Sequence, residues 1–115
     1  MRDEVSDRLA VQDLINRYSD AISRRDFDFV ATLFADNAVW KCSAPFNLHF
    51  EGEAISSSLM AAVAAFDLLV QTSAGSVIDL DGDRARARTT LFEMGRASAD
   101  GRMASATTIA DGSTR

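Results

Sequence analysis

The sequence of 115 residues is poor in several residue types, with one cysteine, one proline, one histidine, one tryptophan and one tyrosine. With Cys42 alone, no intrachain disulfide can form, which is typical of a protein from a reducing cytoplasm. No apolar run approaches the roughly 20 residues that span a bilayer. The N-terminal stretch MRDEVSDRLAVQDL carries acidic residues and lacks the apolar segment of a secretory signal. We therefore expect a cytoplasmic protein without a membrane partner.

Basic residues are also too few for a nucleic-acid-binding protein, since the net charge is −5 and phosphate binding draws on clustered Lys and Arg. The single histidine, single cysteine and scattered carboxylates match no spacing of metal ligands. No phosphate-binding glycine loop, dinucleotide fingerprint or nucleophile elbow is present. The sequence thus predicts neither a nucleic-acid partner nor a metal or other cofactor.

What the sequence does contain is a composition typical of one globular domain over residues 1–115, with 47% hydrophobic residues. Ser6 is a candidate N-cap for a first helix that runs to about Ser23, near the Arg24-Arg25 pair. One stripe of this helix is apolar and includes the tyrosine: Leu14, Ile15, Tyr18 and Ile22.

A second, short helix is expected after Asp26 and ends at Asp36-Asn37, and residues 38–42 are typical of a strand. The only proline, Pro45, predicts a loop over residues 43–52 that also contains His49 and Phe50. The apolar spacing of residues 53–66 predicts a third helix.

The second half changes to a strand-like pattern divided by three Asp-Gly pairs, at 81–82, 100–101 and 111–112. Asp-Gly between alternating runs favours hairpins, because type I′ turns need positive φ at both central residues. We expect an antiparallel meander with strands near residues 69–80, 84–94 and 103–110. The chain stops at Arg115, where a further strand is expected, so either the last strand is cut off or a partner covers the edge.

The run RARARTTLF places three arginines, Arg84, Arg86 and Arg88, on one face of a strand and small or apolar residues on the other. Two interpretations stay open. The arginines form a solvated face backed by the core, or they form an anion-binding stripe.

The segments RYSDAISRRDFDFVATLFADNAVW, FEGEAI and VIDLDGDRARART resemble the nuclear transport factor two-like superfamily, most closely its SnoaL-like branch. That branch includes polyketide cyclases, scytalone dehydratase, ketosteroid isomerase and the small β subunits of ring-hydroxylating dioxygenases. The resemblance implies an α+β, cone-like fold with N-terminal helices packed on a curved, mainly antiparallel sheet. It also implies a hydrophobic small-molecule ligand in the mouth of the cone and a homodimer or higher homo-oligomer.

Site residues follow from the same resemblance. Tyr18 matches the helix tyrosine that donates a hydrogen bond to a carbonyl or oxyanion in the isomerase. Ser19 stands where the dehydratase carries an aspartate, and Cys42 where the isomerase carries its general-base aspartate. Thr72 stands where the dehydratase-like enzymes carry a histidine. The expected ligand-binding residues are Ser19, Trp40, Cys42, Thr72 and Phe92.

Each of these residues also has a structural interpretation. Tyr18, protonated at neutral pH with an ordinary pKa of about 10, either donates to a ligand or belongs to the core. His49 is the one imidazole available as a general base, but its place in a loop favours an exposed residue. Cys42 is either a buried structural thiol or a nucleophile.

The leading hypothesis is a hydrophobic-ligand-binding protein that acts as a cofactor-independent isomerase, cyclase or dehydratase, with Tyr18 polarising a carbonyl of a polyketide-, steroid- or aromatic-type substrate. One alternative is a non-catalytic ligand-binding or dimerisation scaffold. Another is an accessory subunit of a ring-hydroxylating oxygenase, which predicts an apolar patch on the outer face of the sheet.

Overall fold

The computed structural model describes the backbone of residues 3–42 and 47–114, and their side chains as far as Met103. The fold is α+β, with three helices and two antiparallel sheets among these residues, as the sequence predicts. One sheet contains β1 and β2, and the other has the order β3-β4-β5. The elements are α1 (Glu4–Arg24), α2 (Phe27–Thr32), β1 (Val39–Cys42), β2 (Leu48–Glu51), α3 (Ala54–Val63), β3 (Phe66–Asp81), β4 (Arg84–Ala97) and β5 (Met103–Thr114).

Helix α1 begins three residues earlier than the sequence predicts. Its N-cap is Asp3, whose carboxylate accepts hydrogen bonds from the backbone N–H groups of Val5 at 3.0 Å and Ser6 at 3.4 Å. The expectation that Ser6 caps the helix is therefore wrong. Its hydroxyl instead donates to the Asp3 carboxylate at 2.9 Å, because an aspartate upstream already satisfies the free N–H groups of the first turn.

Arg25 ends helix α1 and ties it to the neighbouring elements. Its backbone is left-handed, with a φ of 59°, which turns the chain into α2. Its guanidinium donates to the carbonyl oxygen of Val63 at 3.0 Å and to that of Phe66. One side chain therefore fixes the end of α1 against the end of α3 and the start of β3.

Two helices are shorter than expected. Asp26 caps α2 as predicted, accepting from the N–H of Phe29 at 3.2 Å, but the helix ends at Thr32 rather than at residues 36–37. Helix α3 ends at Val63 rather than at Phe66, because Phe66 is already the first residue of β3.

The expectation of a loop over residues 43–52 is wrong in its second half, where residues 48–51 form β2. Trp40 pairs with Phe50 and Lys41 with His49 across the two strands. His49 and Phe50 thus lie on a strand and point to opposite faces of it. Pro45, on which the loop prediction depends, lies outside the described residues.

Strands β3, β4 and β5 form the expected antiparallel meander. The first two Asp-Gly pairs lie in turns, whereas the third pairs within β5 opposite Arg88 and Ala87, so the expected turn at 111–112 is wrong. At the first turn Asp81 pairs with Arg84, and of the two central residues only Gly82 has a positive φ, at 61°. That pattern matches a type II′ turn rather than the expected type I′.

A bulge in β3 decides which residues face the helix. The pairing with β4 shifts between Ala74 and Ser76, and the extra residue, Gly75, has a φ of +64°. We call the face that α1 covers the inner face and the opposite one the outer face. The inner residues of β3 are odd-numbered before the bulge and even-numbered after it: Leu69, Gln71 and Ser73, then Ser76, Ile78 and Leu80.

Helix α1 runs antiparallel to β3 and is attached to it by polar contacts. Arg8 donates to the carbonyl oxygen of Ile78 at 2.6 Å, and Ser23 donates to that of Gln71 at 3.0 Å. The helix rises about 1.5 Å per residue and the strand about 3.3 Å, so both segments between these contacts span roughly 23 Å. This match holds the inner face of β3 against the helix over several turns.

The buried core lies where α1, α2, α3 and β3 meet, and consists of Ala21, Ile22, Val30, Ile55, Leu59 and Leu69. The arginines of β4 are exposed while Ala85 between them is buried, which confirms the expected division of that strand into two faces. None of the described helices is both long and apolar enough to cross a membrane.

Candidate functional site

The only tyrosine and the only tryptophan of the chain are hydrogen-bonded to each other. The indole Nε1–H of Trp40, on β1, donates to the hydroxyl oxygen of Tyr18, on α1, at 3.2 Å. Both side chains are half-buried beside the core. In the part of the chain that the structure describes, no hydrogen bond uses the hydroxyl proton of Tyr18 itself. The hydrogen bond from Trp40 to the hydroxyl oxygen therefore orients the phenol, and the hydroxyl proton remains available for donation to a ligand.

Aromatic rings surround this hydrogen bond. The ring of Phe34 meets that of Tyr18 edge-on, with centroids 6.2 Å apart and an interplanar angle of 87°. The ring of Phe50 stacks on Trp40 at 5.3 Å and 13°, as their pairing across β1 and β2 requires. These rings make the surroundings of the Tyr18 hydroxyl apolar, a setting that strengthens a hydrogen bond to a ligand.

The environment keeps Tyr18 protonated. Burial raises the pKa of the phenol, since a phenolate would lose its hydration, and the negative charge of Glu93 raises it further. The hydrogen bond from Trp40 acts in the opposite direction, because it stabilises the phenolate and lowers the pKa. The net shift is upward, so at neutral pH Tyr18 is a neutral hydrogen-bond donor.

Polar side chains run from Tyr18's neighbour across the inner face of the sheet. Ser19 is buried, and its hydroxyl donates to Oε1 of Gln71 at 3.4 Å. The amide Nε2 of Gln71 donates to Oε1 of Glu93 at 3.5 Å. Gln71 and Glu93 are directly paired across β3 and β4, so the register brings their side chains together on the inner face. A carboxylate thus lies on the side of the sheet that α1, the helix of Tyr18, covers.

Three of the expected site residues are on the inner side of the molecule. Ser19 joins the polar chain, and Trp40 bonds Tyr18. Cys42 is a half-buried free thiol two residues beyond Trp40 on β1, which places it on the same face of that strand.

The other three expected residues point away from Tyr18. Thr72 and Phe92 are paired with each other on the outer face of the sheet, where Phe92 is 48% exposed. His49 is exposed on β2, and its Nε2 contacts the Glu51 carboxylate at 2.8 Å. The imidazole that the sequence offered as a general base is therefore paired with Glu51 at the surface.

Sequence analysis missed Gln71 and Glu93. Glu93 lies on the face of β4 opposite the three arginines, and a carboxylate in that alternation was a visible signal. Gln71 had no such signal, because the bulge at Gly75 changes which residues of β3 face inward. No cluster of three or more histidine, cysteine, aspartate or glutamate side chains in the described residues is arranged to hold a metal ion.

Comparison with known families agrees with this architecture. The family model of the SnoaL-like domain matches residues 3–113, almost the whole chain. The chain belongs to the SnoaL-like family. Among curated proteins, none matches this SnoaL-like domain significantly.

Solved structures resemble the SnoaL-like domain over 96% of its length. A candidate scytalone dehydratase from Novosphingobium aromaticivorans has a TM-score of 0.85 at 13% identity, with 74% of that chain covered. A candidate aromatic ring hydroxylase from the same organism has a TM-score of 0.83 at 25% identity, with 80% covered. A nuclear transport factor 2-like superfamily protein from Salmonella enterica has a TM-score of 0.81 at 16% identity, with 80% covered. These similarities establish the nuclear transport factor two-like fold.

Proposed function

We propose that this SnoaL-like domain binds a hydrophobic, oxygen-bearing small molecule of the polyketide, steroid or aromatic type beside Tyr18. It acts on this molecule as a cofactor-independent isomerase, cyclase or dehydratase, with the Tyr18 hydroxyl donating to a carbonyl oxygen. The observation that carries the proposal is the arrangement at Tyr18, where Trp40 donates to the hydroxyl oxygen and the hydroxyl proton stays available.

The physical argument concerns charge that develops on the ligand. Isomerisation, cyclisation and dehydration next to a carbonyl pass through an enol or enolate, whose oxygen gains negative charge. A fixed donor in an apolar setting stabilises that charge more than water does. The hydrogen bond from Trp40 makes the Tyr18 proton more acidic, which strengthens its donation. The name of one structural neighbour, a candidate aromatic ring hydroxylase, supports an aromatic ligand class, and that of another, a candidate scytalone dehydratase, supports dehydration.

The test compares 2-tetralone, a bicyclic ketone, with tetralin, the same skeleton without oxygen. Because Tyr18→Phe removes one neutral hydrogen bond of about 1 kcal/mol, we expect it to weaken 2-tetralone binding about fivefold. Tetralin binding should not change. Isothermal titration calorimetry gives both affinities, and the fluorescence of Trp40, the only tryptophan, reports occupation of the site. Equal losses for both compounds, or no binding of 2-tetralone, would contradict the proposal.

A second candidate function is a dimerising scaffold, which the outer face of the sheet supports. Four apolar residues lie together and exposed there, and we call them the outer patch: Leu68, Val70, Phe92 and Met94. Val70 and Met94 are directly paired across β3 and β4. Apolar side chains clustered on one face favour association with another protein surface. We propose that a second copy of the chain covers this patch.

Sedimentation of the wild-type protein and of Phe92→Glu tests the scaffold. A charge at the centre of an apolar interface is costly, so we expect the variant to dissociate at concentrations where the wild type is a dimer. The matched control is Val77→Glu, also on the outer face but opposite Arg88 and away from the outer patch. A wild type that sediments as a monomer at all concentrations would refute this function.

A further inference from the structure

We infer that Glu93 is the proton acceptor of the reaction at Tyr18. Its carboxylate removes a proton from the carbon next to the carbonyl that Tyr18 polarises. This inference rests on the proposed function, and it supplies a general base, for which the sequence offered His49 as the one available imidazole.

The position of Glu93 is the first observation. It lies on the inner face of β4 and is half-buried, and its charge is felt by the Tyr18 phenol. Of its two carboxylate oxygens, Oε1 accepts from Nε2 of Gln71 at 3.5 Å. Across the described side chains no lysine, arginine or histidine forms an ion pair with Glu93, and Oε2 accepts no hydrogen bond. One oxygen is thus oriented by the protein and the other is available to a ligand.

The residue that orients Glu93 is itself fixed at both ends. The backbone N–H of Gln71 donates to the hydroxyl of Ser23 at 2.8 Å, and that hydroxyl donates to the Gln71 carbonyl at 3.0 Å. Its side-chain oxygen accepts from Ser19 at 3.4 Å. Ser19 follows Tyr18 directly on α1, and Gln71 on β3 is paired with Glu93 on β4, so three packed elements connect the donor to the carboxylate. The packing of α1 on β3 and the pairing of β3 with β4 therefore hold the Glu93 carboxylate in a fixed place relative to the helix that carries Tyr18.

The rival base does not share this arrangement. His49 lies on the exposed face of β2, and its imidazole is paired with Glu51 at 2.8 Å. Phe50, not His49, faces Trp40. Glu93 is therefore on the side of the sheet that α1 and Tyr18 cover, whereas the His49 imidazole is on the exposed face of β2. A ligand whose carbonyl accepts a hydrogen bond from Tyr18 would approach Glu93 and not His49.

The proposed step is a proton transfer and needs no co-reactant. A carboxylate oxygen of Glu93 takes the α-proton, the C–H electron pair becomes the carbon–carbon π bond, and the carbonyl π pair moves to the oxygen beside Tyr18. The protonated Glu93 then returns the proton to the same carbon, or to another carbon of the conjugated system. The first route exchanges hydrogen isotopes and the second isomerises the substrate.

The test is hydrogen exchange of 2-tetralone in D2O, followed by the loss of its α-proton signals in nuclear magnetic resonance. The rate in buffer without protein is subtracted. General base catalysis contributes at least about 100-fold, so we expect Glu93→Gln to lower the protein-dependent rate by that factor. The affinity for 2-tetralone should stay within twofold, since Gln keeps the shape and an acceptor for Gln71.

Two control variants separate Glu93 from other groups. Glu53→Gln makes the same chemical change at an exposed carboxylate that makes no capping hydrogen bond, and should leave the rate unchanged. His49→Gln should also leave it unchanged. Exchange that survives Glu93→Gln, or that is lost in His49→Gln, would overturn the assignment.

The outcomes also distinguish this inference from the function on which it rests. If the wild type binds 2-tetralone through Tyr18 but does not accelerate exchange, the base assignment is wrong and the binding function stands. If the wild type does not bind 2-tetralone, both are refuted. Exchange lost in Glu93→Gln with binding retained supports both.

Discussion

The hydrogen bond between Trp40 and Tyr18 can be measured by a double-mutant cycle, because the two side chains contact each other directly. The cycle compares Tyr18→Phe, Trp40→Phe and the double variant with the wild type. Tyr18→Phe leaves the indole N–H without its acceptor, and Trp40→Phe also changes the stack on Phe50 at 5.3 Å. We therefore expect Trp40→Phe to be the more destabilising of the two.

The coupling between the two changes should be about 1 kcal/mol, the net contribution of a partly buried neutral hydrogen bond. With a urea m-value of about 2 kcal/mol/M for a domain of this size, that coupling equals a midpoint difference of roughly 0.5 M. Far-ultraviolet circular dichroism is the appropriate signal, since two of the variants lack Trp40. A coupling of zero within about 0.3 kcal/mol would show that the phenol is not held by Trp40 in solution, and would refute the reasoning.

Three further predictions concern Tyr18 and the backbone. Glu93→Gln should lower the pKa of Tyr18, since it removes a charge that raises it, and the absorbance of this single phenolate measures the shift; an unchanged pKa would separate the two groups. Folding raises the pKa of Tyr18, so the protonated phenol contributes its full share of folding stability below about pH 10, and this share is lost as the pH rises through the folded pKa. In alkaline solution the free energy of unfolding of Tyr18→Phe should therefore fall less than that of the wild type. Equal losses of stability in the two proteins would contradict this. Gly52→Ala places a Cβ 2.5 Å from the carbonyl oxygen of Asp36 at a φ of +52°, whereas the Cβ of Gly75→Ala meets no atom within 4 Å at a φ of +64°. Gly52→Ala should therefore lower the free energy of unfolding more than Gly75→Ala does. Equal urea midpoints for the two variants would argue against the close approach at Gly52.

The sequence pattern was sufficient for the class of fold and the order of most elements. The Asp-Gly pairs at 81–82 and 100–101 located two turns, because positive φ at glycine is a local property. The third pair has the same composition but lies inside β5, where pairing with β4 overrides the local preference. Strand β2 was missed for a related reason, since its four residues are a strand only through pairing with β1.

The candidate site depended on longer-range facts. Continuing the inward alternation of Ile78 and Leu80 toward the N-terminus of β3 puts Thr72 on the inner face, where the resemblance also expected a site residue. Because of the bulge at Gly75, Gln71 and not Thr72 faces inward, and Gln71 makes the hydrogen bond to Glu93. A one-residue shift of register reverses every side chain of a strand, and the sequence gives no reliable sign of where the shift occurs.

The central claim is that Tyr18 donates a hydrogen bond to the carbonyl of a bound ligand. The most direct measurement is the infrared difference spectrum of 2-tetralone labelled with carbon-13 at the carbonyl, bound to the wild type and to Tyr18→Phe. The account predicts that the carbonyl stretch lies at lower frequency in the wild-type complex, because the hydrogen bond polarises the C=O bond, and that it returns toward its value in an apolar solvent in the variant. The same frequency in both complexes would contradict the claim.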